Sequence, residues 1–258
     1  AGILNNMGLV CFNRGEYELA VNFYKEALDL QAKILGALHP ALAISYSNIA
    51  LSESAMGHYK TAAKLLEKAE KIQRQNPETK KSELARTLNN IGVQFDKLGD
   101  FAAAKKYHFK ALDIQEKHLP ENHPDIALTL NNMGTVLEHM GEYKSALESY
   151  QKAIRLETAA FGAKHPDIAR LENNIGCVYI KLAEYAKALE CFDLALKIQQ
   201  AIHKDGHPDL AVTYSNIGDA NLENENFAAA IAAYQKALEI RLKFYGNLHL
   251  ETARSHDD

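Results

Sequence analysis

Cysteine is scarce in this chain of 258 residues, and its three cysteines form no recognisable pattern. Cys11, Cys177 and Cys191 stand at spacings that match neither a zinc-binding pair nor a CxxC redox motif. We therefore expect reduced thiols, and we expect cysteine to hold no metal ion and no redox cofactor. The same spacings give no sign of a catalytic thiol.

An excess of positive charge and long apolar segments are also missing. The net charge is -4, so the chain lacks the electrostatic basis for general nucleic-acid binding. No apolar run approaches the roughly 18 to 20 residues that a membrane span needs, and the N-terminus has no signal-peptide pattern. We therefore expect neither nucleic acid nor membrane as a partner, and we expect a cytoplasmic protein.

Catalytic and phosphate-binding motifs are absent as well. No nucleophile, base and orienting group occur together at a readable spacing. Glycines such as Gly92 and Gly99 recur at fixed intervals, where they punctuate helices instead of forming a phosphate-binding loop. The sequence therefore predicts a protein that is not an enzyme and that needs no cofactor.

What the sequence does contain is an internal repeat of 42 residues. Shifting the chain by this interval aligns the asparagines Asn6, Asn48, Asn90, Asn132, Asn174 and Asn216 without a gap. Five such matches by chance have a probability on the order of one in a million. The repeats run at about 1–40, 41–82, 83–124, 125–166, 167–208 and 209–250, and the start of a seventh first helix is expected at 251–258.

Each repeat has the pattern of two helices. In the third repeat, Leu88, Ile91 and Phe95 recur at helical spacing, and the Gly99-Asp100 break separates this stripe from a second one. In the fourth repeat we expect the helices at about 124–140 and 143–160. A helical hairpin has an apolar face that it buries only against a neighbour, so the sequence predicts an all-α solenoid that forms one domain.

Two repeats depart from the pattern. Asn76-Pro77 in the second repeat should end the second helix early, because the residue before proline disfavours helical backbone. In the sixth repeat Glu225 replaces the glycine of the turn, and we expect looser packing there.

The residues of these helices resemble a known repeat. Leu88, Ile91, Gly92 and Phe95, with two later alanines, resemble the tetratricopeptide pattern. The long unit and its His-Pro-Asp start, as at 123–162, are similar to the kinesin light chain variety of this repeat. The resemblance covers the whole chain and implies a right-handed superhelix of stacked hairpins, whose concave surface is lined by the first helix of each repeat.

The resemblance also implies a function, which is to bind extended peptide segments of partner proteins in the concave groove. A primary amide offers two donors and one acceptor, so an asparagine ladder could hold a peptide backbone whatever its side chains. Basic residues beside the ladder would favour an acidic partner. The predicted groove residues are Asn6, Asn48, Asn89, Asn90, Asn131, Asn132, Asn173, Asn174, Asn216, Arg86, Lys97, His139, Arg170 and Lys181.

Other interpretations stay open at this point. The asparagines could instead bond the adjacent helix and set the stacking of the repeats, which would make the chain a structural or oligomerising scaffold. The chain could also be the sensor region of a larger signalling protein. His-Pro pairs recur at 39–40, 123–124, 165–166 and 207–208. We expect no metal site among their histidines, because equivalent histidines would lie about 10 Å apart, whereas a metal ligand lies about 2.1 Å from its ion.

Overall fold

The computed structural model describes residues 1–203 and 206–245, and within these ranges the chain forms twelve α-helices and no strand. The all-α prediction is therefore confirmed. The helices are α1 (Gly2–Asn13), α2 (Tyr17–Leu35), α3 (Pro40–Ala55), α4 (Tyr59–Gln75), α5 (Lys81–Lys97), α6 (Phe101–His118), α7 (Pro124–His139), α8 (Tyr143–Phe161), α9 (Pro166–Lys181), α10 (Tyr185–Ile202), α11 (Pro208–Glu223) and α12 (Phe227–Tyr245).

The helices are grouped in two compact units. The first unit, Ala1–Glu121, contains α1 to α6, and the second begins at Asn122 and contains α7 to α12. In both units each odd-numbered helix packs against the helix that follows it, which gives the predicted hairpins. That all repeats form a single domain stays a prediction, and the expected seventh helix at 251–258 lies outside the described residues.

A close approach between the two helices explains the glycine that recurs in the first helix of every hairpin but the second, which has Ala50 there. Gly134 packs against the ring of Tyr150, and Gly176 packs against the ring of Phe192, which is fully buried. A methyl group at Gly176 would lie 2.3 Å from Phe192 Cε1, so only glycine allows this approach. In the third repeat the ring that faces this glycine is that of His108.

The His-Pro pairs begin the first helices, as predicted. Proline takes the first helical position, where its missing N–H costs nothing. The preceding histidine is the N-cap: Asp125 N–H donates to His123 Nδ1 at 3.2 Å, and Asp209 N–H donates to His207 Nδ1 at 3.3 Å. The histidine column thus has a structural role that its pairing with proline only partly indicated.

The two departures from the repeat have local consequences. Helix α4 ends at Gln75, one or two residues earlier than its equivalents, as the Asn76-Pro77 pair predicted. In the turn of the last hairpin, Glu225 adopts a φ of 58°, a left-handed conformation that glycine fills in most other repeats. The chain therefore accepts backbone strain at this turn instead of changing its path.

Candidate peptide groove on the first helices

Buried polar groups join successive repeats on the side of the first helices. In the second unit, Asn173 Nδ2 donates to Thr213 Oγ1 at 2.8 Å, and Thr213 Oγ1 donates to Gln199 Oε1 at 2.9 Å. All three side chains are buried. The trio connects α9, α10 and α11, so it satisfies buried polar atoms and fixes the stacking of two repeats.

The same trio occurs once in the first unit. Ser45 Oγ donates to Gln31 Oε1 at 2.8 Å and lies 3.4 Å from Asn5 Oδ1. Between two other pairs of neighbouring repeats the trio is incomplete: at one, Ser47 stands where Asn5 and Asn173 stand in their repeats, and at the other, Glu157 and Leu171 stand where the glutamine and the hydroxyl residue would be. The structure has a pocket at each of these two positions.

The pocket of the first unit lies between α3 and α5. It has a volume of about 300 Å³ and brings together three predicted groove residues, Asn48, Asn90 and Arg86. Ile44 and Leu51 give it an exposed apolar wall. Its complete lining is Ile44, Ser47, Asn48, Leu51, Gln73, Glu83, Arg86, Thr87 and Asn90.

Several polar groups of this pocket lack partners among the described residues. Gln73 is 8% exposed, and its Oε1 atom accepts no hydrogen bond. The side-chain amides of Asn48 and Asn90, which are half-buried, form no hydrogen bond within the described part of the chain, and Arg86 forms no ion pair there. Buried polar atoms normally find partners, so this pocket has hydrogen-bonding capacity to spare.

A second pocket lies at the equivalent place in the second unit, between α7 and α9. It has a volume of about 240 Å³, and Arg170 and Glu157 line it. Here the guanidinium is engaged, since Arg170 Nη2 lies 2.7 Å from Asp167 Oδ1. Burial, and next the charge of Asp167, raises the pKa of Glu157 above its usual value. The guanidinium of this pocket is already paired, unlike that of Arg86 in the first unit.

The asparagine ladder of the second unit is largely used inside the protein. Asn174 Nδ2 donates to Asn131 Oδ1 at 3.0 Å, and Asn216 Nδ2 donates to Asn173 Oδ1 at 3.2 Å. Asn131 Nδ2 also lies 3.3 Å from Asn132 Oδ1. These bonds join the first helices of neighbouring repeats, which is the arrangement expected of a stacking role.

The remaining predicted groove residues fall into two groups. Asn89, Asn131 and Asn173 are buried, and Asn89 Oδ1 accepts a hydrogen bond of 2.9 Å from His108 Nδ1, so these three amides act mainly in packing, although Asn131 also lines the second pocket. The exposed residues are Asn6, Lys97, His139 and Lys181. The prediction took both asparagines of each Asn-Asn pair, but a helix turns its neighbouring residues to different faces.

Cys177 on α9 packs against the core cluster around Phe192 and lacks the features of a reactive thiol. Burial, followed by the charges of Glu138 and Asp219, raises the pKa of this thiol to about 12. The thiolate is the nucleophilic form, so Cys177 is poorly suited to catalysis. The three cysteines are free thiols, as expected.

The structure contains two groups of potential metal ligands that a comparison of equivalent histidines in the sequence does not reveal. Among the described residues, Glu157, His165 and Asp167 form one group, and His203, His207 and Asp209 form another. Each group lies around a single connection between repeats, with Glu157 in the last turns of α8, whereas the sequence argument considered only histidines one repeat apart. The spacing His203-x3-His207-x-Asp209 was the signal that could have revealed the second group.

Membrane insertion has no support in the helices. Within residues 1–203 and 206–245, every helix is too short or too polar to cross a bilayer.

Solved structures with the same fold include several repeat proteins. BtubC (BKLC) from P. vanneervenii matches with a TM-score of 0.73 and 21% identity over 88% of this chain and 89% of that one. The TPR-like repeats of a kinesin light chain candidate from Podosopora anserina match with a TM-score of 0.68 and 17% identity over 81% and 99%. Aspartyl phosphate phosphatase F from Bacillus subtilis matches with a TM-score of 0.71 and 17% identity over 96% and 71%. No curated protein sequence matches the chain.

Sequence profiles of the tetratricopeptide repeat match almost all of the chain. One profile matches residues 1–75, 125–201, 167–243 and 209–258, and a second matches residues 84–125. The fold of this family supports protein–protein interaction scaffolds, and its members are generally not enzymes. The repeat profiles, the helical hairpins and the kinesin light chain-like structural neighbours agree, and the chain belongs to the tetratricopeptide repeat family.

Proposed function

We propose that this protein is an adaptor whose first unit binds an extended peptide segment of a partner protein in the pocket between α3 and α5. The observation that carries the proposal is the set of unpartnered polar groups in this pocket. Asn48, Asn90 and the Gln73 carbonyl have hydrogen-bonding capacity that an extended backbone, with one donor and one acceptor per residue, would use. The free cysteines suit a reducing compartment, so we place the adaptor in the cytoplasm.

The chemistry of the pocket walls describes the peptide. Arg86 provides a guanidinium that is free to pair with an acidic side chain, and Ile44 and Leu51 provide apolar surface for a neighbouring side chain. An extended strand alternates its side chains, so one residue would face the apolar wall while the next turns away. The preferred ligand is therefore an extended segment that combines an acidic residue with an apolar one.

In the second unit, the asparagines at the equivalent positions have a different role. There the asparagines bond one another and Arg170 is paired with Asp167. This arrangement favours the stacking role and leaves fewer hydrogen-bonding groups for a ligand. This contrast is why the proposal places the peptide in the first unit. The similarity to kinesin light chain-like repeats supports an adaptor but says nothing of its partner.

Ser47→Asn should weaken peptide binding strongly without unfolding the first unit. Asparagine is the residue at the equivalent positions 5 and 173, where it meets the hydroxyl of the trio. At position 47 its amide would fill the pocket and reach Gln73 or Thr87. A display library of random 12-residue peptides, selected on the unaltered chain, provides the ligands, and their affinities for both proteins are then measured by fluorescence anisotropy.

The outcomes of this experiment separate the alternatives. We expect selected peptides to bind the unaltered chain and to lose at least about tenfold in affinity for Ser47→Asn, while its melting temperature stays equal or rises. If the peptides bind both proteins equally, they do not occupy this pocket. Recovery of no peptide that binds the unaltered chain above background would also count against the proposal.

Arg86→Glu should weaken acidic peptides much more than the matched change Arg170→Glu. The two arginines are equivalent in their repeats, but only Arg170 is held by a carboxylate, Asp167. Reversing an exposed, unpaired charge should cost acidic peptides about three- to tenfold in affinity and reduce the salt dependence of binding. Titrations at low and high salt check this, and equal effects of the two variants would remove Arg86 from the proposed site.

A further inference from the structure

The turn between α10 and α11 brings together three side chains that the proposed groove does not use. His203 follows the end of α10, His207 is the N-cap of α11, and Asp209 lies in the first turn of α11. His203 Nε2 and His207 Nδ1 each lie 3.5 Å from the same atom, Asp209 Oδ2. All three potential ligand atoms lie within 4.8 Å of one another.

One of these residues departs from the repeat pattern. The residues equivalent to His203 in the four preceding repeats are Leu35, Pro77, Leu119 and Phe161, none of which has a ligand atom. Phe161 stacks on the N-cap His165 with a centroid distance of 4.5 Å, and His203 stacks on His207 with a centroid distance of 3.6 Å. A phenylalanine would therefore be enough for ring stacking at this position. The imidazole of His203 adds a nitrogen ligand that the fold does not require.

We propose that His203, His207 and Asp209 bind a zinc ion. Zinc takes imidazole nitrogen and carboxylate oxygen at about 2.0–2.2 Å in tetrahedral geometry, and such bond lengths place neighbouring ligand atoms about 3.4 Å apart. The two distances of 3.5 Å to Asp209 Oδ2 fit this separation. The two rings are stacked within 5° of parallel, and an ion lies near the plane of each imidazole that binds it, so zinc binding would require the imidazoles to rotate out of this stack.

The ion would connect the end of α10 to the start of α11. Three protein ligands leave a fourth position for water, as in open zinc sites. His207 Nδ1 now accepts the Asp209 N–H at 3.3 Å, and metal binding would exchange this weak capping bond for a coordinate bond. Because the ligands flank the end of one helix and the start of the next within one unit, a bound ion stabilises that unit by mass action.

The test uses the complete chain without a histidine tag and zinc chloride as the only ligand. Calorimetric titration should show one zinc ion bound per chain, and cobalt(II) in its place should show the visible absorption of a tetrahedral site. His203→Phe is the matched variant, since phenylalanine stands at the equivalent position 161 and keeps the ring stacking. Loss of an outer-shell partner alone commonly weakens metal binding about 10–100-fold, so loss of this ligand should weaken it at least as much.

A second variant separates this turn from the other cluster. Glu157→Gln places at position 157 the residue found at the equivalent position 199, and it removes a carboxylate from the group of Glu157, His165 and Asp167. We expect zinc affinity to be unchanged in this variant. Unchanged binding in His203→Phe, loss of binding in Glu157→Gln, or no saturable zinc binding by the unaltered chain would each overturn the proposal.

Discussion

Phe192→Ala should lower the free energy of unfolding of the second unit by about 3–5 kcal/mol, the usual cost of removing a large buried ring. Phe192 is fully buried and packs closely on Gly176, on the facing helix of its hairpin. Gly176 contributes no side chain to this contact, so removing the ring leaves a cavity that Gly176 cannot fill. Urea unfolding followed by circular dichroism measures the change, and a loss of less than about 1 kcal/mol would contradict this packing.

The chain supplies a matched control for this change. Phe192→Tyr places at position 192 the residue of Tyr150 and Tyr234, whose hydroxyls bond Thr135 at 3.2 Å and Asp219 at 2.7 Å. A hydroxyl at position 192 would approach Cys177, the equivalent of those partners. We expect this nearly isosteric change to cost less than about 1.5 kcal/mol.

Acidification should destabilise the first unit through His108. The Nδ1–H group of this buried imidazole donates to Asn89 Oδ1 at 2.9 Å, and its Nε2 atom has no hydrogen-bond partner among the described residues. Burial lowers the pKa of His108 from 6.5 to about 4. Below pH 6.5 the unfolded chain therefore takes up a proton that the folded chain refuses.

The sign and size of this effect follow from the two pKa values. Above pH 6.5 both states are neutral and the histidine has no linkage effect. Stability then falls by about 1.4 kcal/mol per pH unit until the folded state also accepts the proton near pH 4, for a total of about 3 kcal/mol. Below pH 4 the loss is complete and stays constant.

His108→Phe isolates this contribution from the other titrating groups. Phenylalanine occupies the equivalent position 192 against a glycine, so it suits the site, although Asn89 loses the hydrogen bond from His108. The useful quantity is the difference in unfolding free energy between the two proteins at pH 7 and at pH 4.5. We expect the difference to shift in favour of His108→Phe by about 2 kcal/mol on acidification, and a constant difference would exclude His108 as the cause.

The fold could be predicted from the sequence because the same helical pattern occurs in six aligned repeats. The helices of the fourth repeat were expected at about 124–140 and 143–160 and occur at Pro124–His139 and Tyr143–Phe161. Six aligned copies average out the local ambiguity of any single helix. The early end of α4 was equally predictable, because proline acts through its own backbone and needs no tertiary partner.

The candidate site was only partly predictable. The sequence identified Asn48, Asn90 and Arg86, which line one pocket, but it did not distinguish them from Asn174 and Arg170, whose side chains are engaged within the protein. That difference depends on which side chains meet when the chain is folded. Ser47 opens a space because the hydroxyl and amide that it fails to meet come from two other helices.

The zinc site was missed for a related reason. Alignment of equivalent positions emphasises what the repeats share, whereas His203 matters because it differs from its equivalents. Its partners His207 and Asp209 belong to the shared pattern and were assigned to the start of a helix. A search within each turn, instead of between turns, would have paired them.

The most direct test of the central claim follows the side-chain amides of Asn48 and Asn90 by nuclear magnetic resonance. Their signals are assigned with Asn48→Asp and Asn90→Asp variants, and a peptide from the display selection is added stepwise. If the pocket between α3 and α5 holds the peptide backbone, both amide signals shift and saturate together with binding, while the signal of Asn216 in the second unit stays in place. Saturable binding that leaves Asn48 and Asn90 unshifted would contradict the account.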